Sequence, residues 1–174
     1  GSCFQKDILN LVYLCKYYGL EEVAEYWHQV IKINDYQKNR FAQKIIDHFG
    51  GDLKGKKIAV LGWAFKANTN DSRESPAIYV AEKLFKAGAI LEIYDPMVCK
   101  ESIFRDIDFY WELNQGDLNS RISVINSIDT LDPRIDATAI LTEWEVFKSL
   151  DFSKTTVFDG RGVIPSSRYS IGKG

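Results

Sequence analysis

The sequence has almost no surplus of either charge: 22 Lys and Arg stand against 24 Asp and Glu in 174 residues, a formal net charge of -2. Such a chain raises no basic field that would gather nucleic acid or an anionic membrane, so any phosphate it binds must be met by a few local cations. It also lacks an apolar run of the roughly 20 residues that a membrane span needs, and its first residues lack the charged and apolar segments of a secretory leader. A cytoplasmic protein is the expectation. Cysteine is scarce and odd in number. Cys3, Cys15 and Cys99 have neither the paired spacing of a zinc site nor that of a disulfide framework, so each is read as a single thiol and no metal site is expected. His28 and His48 fall on a helical stretch without a partner at metal spacing and read as structural or surface residues. Internal repeats and low-complexity segments are absent too.

What is present is an ordinary globular composition, 45% hydrophobic and 26% charged, far from the signature of disorder. The length suits one compact domain with a helical extension and is too short for two full nucleotide-binding domains. From Phe4 to about Tyr18, Ile8, Leu11, Val12, Leu14 and Cys15 recur at helical spacing, and Gly19 supplies a stop. A second helical pattern starts near Glu21 and Glu22 and runs to Gly50-Gly51, with acidic residues at its start where the helix dipole favours them. Residues 1–50 are therefore expected to form a helical segment. Beyond it the pattern changes to short apolar runs, Lys57–Gly62, Ile90–Tyr94, Ile122–Ile125, Ala137–Leu141 and Thr156–Phe158, with helix-like stretches at Ser75–Ala87 and Glu145–Leu150. Strand–helix alternation of this kind predicts an α/β fold, a Rossmann-like domain over 51–174 with a mostly parallel sheet. The polar stretch Lys100–Ser120 is expected to supply a helix plus a loop over a sheet edge.

Four segments carry candidate chemistry. Cys3 stands at the mouth of the first helix, facing the positive end of its dipole, with Lys6 nearby; both favour a thiolate and make Cys3 a candidate nucleophile. Asp7, one turn along, could place a water or take its proton. A small residue before a helix, with a surface Lys-Asp pair, explains the same letters. The strand Lys57–Gly62 runs into a loop bearing Phe65, Lys66, Asp71 and Arg73 before a helix near Glu74, the place where open α/β sheets bind ligands. No G-x-G-x-x-G occurs there, so a phosphate would be met by side chains: Lys66 and Arg73 could neutralise a diphosphate and Phe65 could wall a pocket. Solvated cations with Asp71 pairing locally are the alternative. Val157–Arg161 would bring Arg161 to the same sheet edge if its strand is parallel to the first, or is an ordinary D-G turn. Thr142 with Glu145 has the spacing of a capping box, and Trp144 could wall the crevice.

Together these segments resemble, in order, the C-terminal half of the UDP-glucose 6-dehydrogenases: Gly1-Ser2-Cys3-Phe4-Gln5-Lys6-Asp7, Gly62-x-Ala64-Phe65-Lys66-x-x-Thr69-x-Asp71-x-Arg73-x-Ser75, Tyr94-Asp95-Pro96, Thr142-Glu143-Trp144 and Phe158-Asp159-Gly160-Arg161. The resemblance implies NAD as cofactor, two hydride transfers per sugar, Cys3 as the nucleophile that attacks the intermediate aldehyde, Lys6 as support for the anionic intermediate and Asp7 as the residue that helps place water. It further implies Phe65, Lys66 and Arg161 as binders of UDP-glucose or UDP-glucuronate, Arg73 as the contact with the cofactor, and the long helix as the contact of a homodimer or larger homo-oligomer. On the same grounds an NAD-binding domain belongs to such an enzyme outside these residues, and this chain alone is expected not to turn over. Within the resemblance the Phe4-Gln5 pair favours the UDP-glucose branch over GDP-mannose or N-acetylmannosamine dehydrogenases, with GDP-mannose or another UDP-sugar as the alternative substrate. A binding or dimerisation module without chemistry is the reading of another class.

Overall fold

A computed structural model describes residues 2–111, 120–165, 167 and 169–170. Two helices come first. α1 spans Ser2–Tyr17 and α2 spans Glu21–His48. Gly19, at φ +70, ends α1 in the left-handed turn that glycine enters without strain. The three-residue link makes the pair a hairpin, and its seam is the small buried cluster of Ile8, Val12, Cys15 and Ala24 with Leu11, Trp27, Val30 and Ile31 against it. At its other end α2 buries Phe41, Ala42, Ile45 and Ile46 in the main core. One helix thus serves two cores.

The rest of the chain alternates as its letters predict. β1 (Lys57–Leu61), α3 (Pro76–Lys86), β2 (Ile90–Tyr94), α4 (Lys100–Tyr110), β3 (Ile122–Val124), β4 (Ala137–Ile140), β5 (Thr156–Asp159) and β6 (Tyr169–Ser170) follow in order. The sheet is parallel throughout, in the order β3-β2-β1-β4-β5-β6. Its central strands are apolar on both faces, as a sheet covered on both sides requires. Succession runs outward from β1 to one side and from β4 to the other, so the switch in strand order falls between β1 and β4. Register aligns Leu61 with Tyr94 and with Ile140, and Ile140 with Asp159. The strand exits therefore lie side by side at one edge, the position of a ligand crevice in open α/β sheets.

The departures from expectation are local. α3 fills the expected Ser75–Ala87 stretch and begins at Pro76, because Ser75 takes the N-cap and accepts from the Ala77 amide at 3.3 Å. Glu145–Ser149 is a 3-10 turn rather than an α-helix. Its N-cap is Trp144 and no side chain caps it, so the capping box expected of Thr142 and Glu145 does not form; Thr142 is spent elsewhere. The short strand β6 had no periodic signal. In the Lys100–Ser120 stretch the expected helix is α4, while the expected loop falls on residues 112–119, outside the described residues.

Candidate functional site

The exits of β1 and β4 pass within contact distance. Gly62 sits at φ +94, and a Cβ there would lie 2.4 Å from Thr142 Cβ and 2.6 Å from the Thr142 nitrogen. Only glycine meets both conditions. Thr142, fully buried, donates its hydroxyl to the Ala64 carbonyl at 2.5 Å. From the exit of β2, the buried Asp95 reaches across. One oxygen accepts from the amides of Trp63 at 2.7 Å and Ala64 at 2.9 Å and from the Trp144 indole at 3.1 Å; the other accepts from the amides of Met97 at 2.8 Å and Val98 at 2.9 Å. A carboxylate inside a protein needs such partners, and five donors supply them. Asp95 and Thr142 together fix the start of the loop that carries Phe65 and Lys66.

Arg161 braces that loop from the far side. Its Nε donates to the Leu141 carbonyl at 2.8 Å and its Nη2 to the Phe65 carbonyl at 3.0 Å, while Glu143 lies 3.5 Å from the guanidinium. The turn that presents it is built by Asp159, whose carboxylate accepts from the amides of Arg161, Gly162 and Ile164. Lys66 is exposed, with its ammonium 5.5 Å from the Phe65 ring centre and no ion pair among the described residues. Beside Arg161 a cavity of about 150 Å³ opens between Phe41, Val80, Leu141 and Gly160. A larger hollow, about 940 Å³, lies elsewhere, around Leu150, Phe152 and Ile164, and is lined by none of the candidate site residues Cys3, Lys6, Asp7, Phe65, Lys66, Arg73 and Arg161. Residues with chemistry, not volume, locate the site.

A second cluster stands where α1 meets the same loop. Cys3, Lys6 and Asp7 are exposed on the first two turns of α1. Gln5 Nε2 donates to Glu74 Oε2 at 3.2 Å. Next to Glu74, Arg73 forms a forked pair with Asp71, at 2.9 and 2.8 Å. That pair pushes the Arg73 guanidinium pKa up, chiefly through the Asp71 hydrogen bonds, with Cys3 contributing; it holds the Asp71 carboxyl below the usual range, chiefly through Arg73, with Lys6 contributing. The thiol-bearing turn and the loop after β1, some 70 residues apart in sequence, are thus neighbours.

The three expected cations do not form one open cluster. Arg161 and Lys66 share the Phe65 end of the loop; Arg73 lies at the α1 end and is paired. Trp144 does not wall an open crevice: it is buried, with its indole directed at Asp95. Glu74, at φ +57, and its donor Gln5 carried no signal by spacing. Asp95 was visible only as part of Tyr94-Asp95-Pro96, without a role. His48 packs against Phe49, Phe158 and Tyr169, and no group of metal-ligating side chains occurs among the described residues.

Comparison with known proteins bears on this geometry. The UDP binding domain of the UDP-glucose/GDP-mannose dehydrogenase family matches residues 59–166. UDP-glucose 6-dehydrogenase 1 of Arabidopsis thaliana is 43% identical over 199 aligned residues, which take in 99% of this chain and 41% of that protein. UDP-glucose 6-dehydrogenase 2 of Oryza sativa subsp. japonica is 45% identical over 198, with the same coverage. Among solved structures, a UDP-glucose dehydrogenase from Pyrobaculum islandicum superimposes with a TM-score of 0.75 at 28% identity, covering 98% of this chain and 36% of that one. A GDP-mannose dehydrogenase from Pseudomonas aeruginosa, solved as a ternary complex, gives 0.73 at 25% identity, covering 98% and 38%. The chain spans about two fifths of the length of the curated relatives it matches.

Proposed function

The chain belongs to the UDP-glucose/GDP-mannose dehydrogenase family, and on that premise we propose that it is the UDP-sugar-binding part of an NAD-dependent UDP-glucose 6-dehydrogenase. The observation that carries the reading is the coincidence of two things: the matched UDP binding domain includes the strand exits between β1 and β4, and Phe65, Lys66 and Arg161 gather there. Lys66 neutralises the diphosphate, Phe65 walls the nucleotide, and Arg161 holds the loop in place and turns its remaining donors to the ligand. UDP-glucose is favoured over GDP-mannose by the 43–46% identity to curated UDP-glucose 6-dehydrogenases along 99% of the chain.

In this reading the sugar C6 lies toward the first turn of α1. Cys3 adds as thiolate to the aldehyde carbon left by the first oxidation, giving a thiohemiacetal. Lys6 offsets the charge on its oxygen. Loss of a second hydride leaves a thioester, and water placed by Asp7 releases the uronate and returns the thiol. NAD would supply the hydride acceptor in each oxidation, one molecule reduced per step and two per sugar. Arg73 is the residue that would meet that cofactor: it is an exposed cation beside Cys3, and no G-x-G-x-x-G accompanies it, so the remainder of such an enzyme would hold most of the cofactor. Residues 1–50 act as the central segment, and the exposed Tyr13, Tyr17, Tyr26, Ile33 and Tyr36 of α1 and α2 form the contact of a homodimer.

Calorimetric titration with UDP, UDP-glucose and GDP, in the wild type and in Lys66→Ala, tests the reading. Expected are selective binding of the uridine ligands and a loss of about tenfold or more in Lys66→Ala, the scale of one charge-assisted hydrogen bond. Equal affinity for GDP, or an unaltered Lys66→Ala, overturns the assignment.

A further inference from the structure

The mechanism leaves Glu74 without a task, yet three side chains converge on it. Its carboxylate accepts from the Tyr79 hydroxyl at 2.6 Å and from the Gln5 amide at 3.2 Å, both on Oε2. Its own amide points to the Tyr110 hydroxyl at 3.4 Å. The Tyr79 ring packs edge-on against Tyr110 with centres 5.9 Å apart, and the Lys38 ammonium from α2 lies 3.8 Å from the centre of the Tyr79 ring. The Tyr79 phenol is pushed well above its ordinary pKa by burial and then by the Glu74 bond, so it remains a donor. Glu74 holds this position with φ +57, a left-handed conformation that a glutamate adopts only where its surroundings demand it.

Gln5 is two residues from Cys3 and Glu74 is next to Arg73. We propose that the Gln5–Glu74–Tyr79 chain is a clamp that positions the thiol-bearing turn of α1 against Arg73, with Glu74 the positioning residue. The proposal rests on the reading of Cys3 as nucleophile. Glu74 does not touch the reacting atoms; it acts through Gln5, by holding the first turn of α1, and through the left-handed backbone that directs Arg73 to the same spot. The bond is between a neutral amide and a carboxylate, so donor and acceptor can be exchanged without changing the net charge.

That exchange is the test. The chain is treated with iodoacetamide at fixed pH, and the alkylation rate at each cysteine is followed by peptide mass spectrometry. The exposed Cys99 serves as internal control and the buried Cys15 as a monitor of folding. In Gln5→Ala, a helix-compatible change, and in Gln5→Glu, where two carboxylates meet, the Cys3 rate falls by about three- to fivefold, the scale of one exposed charge pair between the thiolate and Arg73. In the double variant Gln5→Glu with Glu74→Gln, the reversed pair restores the rate to within about twofold of the wild type. The Cys99 rate stays constant in all three. An unchanged Cys3 rate in the single variants, or no recovery in the double variant with Cys15 still protected, overturns the clamp. Because alkylation requires no turnover, it stands apart from the nucleophile reading, which fails instead if Cys3→Ser in the full-length dehydrogenase retains activity.

Discussion

Alanine at position 62 would place a methyl group 2.4 Å from Thr142 Cβ and 2.6 Å from both Thr142 N and Oγ1, at φ +94. Two costs add. The backbone conformation alone disfavours any L side chain by about 1–2 kcal/mol. The overlap cannot be relieved by rotating a side chain, since one of the atoms struck is backbone and Thr142 is itself tied to the Ala64 carbonyl; forced separation of β1 from β4 costs a further ~1–3 kcal/mol. Gly51→Ala supplies the control, because Gly51 has φ +96 with no atom within 4 Å and bears only the first cost. Urea unfolding followed by circular dichroism measures both. With a slope of about 2 kcal/mol per molar, Gly51→Ala lowers the midpoint by about 0.5–1 M and Gly62→Ala by about 1–2.5 M, a large part of the ~5–15 kcal/mol that holds a domain folded. Equal midpoint losses in the two variants would refute the argument that the β1 and β4 exits are in steric contact.

Asp95→Ala withdraws the acceptor from five donors at once, so a loss of about 3–5 kcal/mol is expected, read as a fall of roughly 10 °C in thermal midpoint, with UDP affinity falling as the Phe65–Lys66 loop loses its anchor. Asp71, its carboxyl held low by Arg73, binds its proton less readily folded than unfolded. Its contribution is therefore complete above the ordinary carboxylate pKa of 3.8 and lost as pH falls below it through the folded value; Asp71→Asn flattens the acid limb of stability below that pH and leaves the curve at neutral pH parallel to the wild type, as denaturant titrations across the range would register.

The helices and central strands were legible because their signals are local and repeated: the spacing Ile8, Val12, Cys15, the acidic start at Glu21, the apolar runs of β1, β2 and β4. The strand carrying Arg161 is parallel to β1, so the sheet edge named from sequence is the edge where Arg161 meets Phe65. What failed did so for lack of a local signature. Thr142 has the letters of a cap, but its hydroxyl found a carbonyl in the loop after β1, and only the approach of β4 to β1 decides that. Trp144 has the position of a pocket wall at a strand exit, but the buried carboxylate of Asp95, just past the end of β2, takes its indole. Pairings such as Gln5 with Glu74 cross 69 positions and follow no period, so they become visible only when the chain is folded.

The hairpin of α1 and α2 has one more consequence. At about 1.5 Å per residue, the 16 residues of α1 run some 24 Å back along α2, which returns its first turn to the level of Lys38, close to where α2 enters the main core at Phe41. The thiol therefore rides near the fulcrum and the Gly19 turn is the free end of the boom. A flexure of 5° about that fulcrum carries the far end through about 2 Å while the first turn barely stirs, against the tolerance of about 1 Å that the proposed role of Cys3 as nucleophile would set. Tyr17, Tyr18 and Leu20, exposed at the far end, can give way to a neighbouring molecule without taking Cys3 out of alignment.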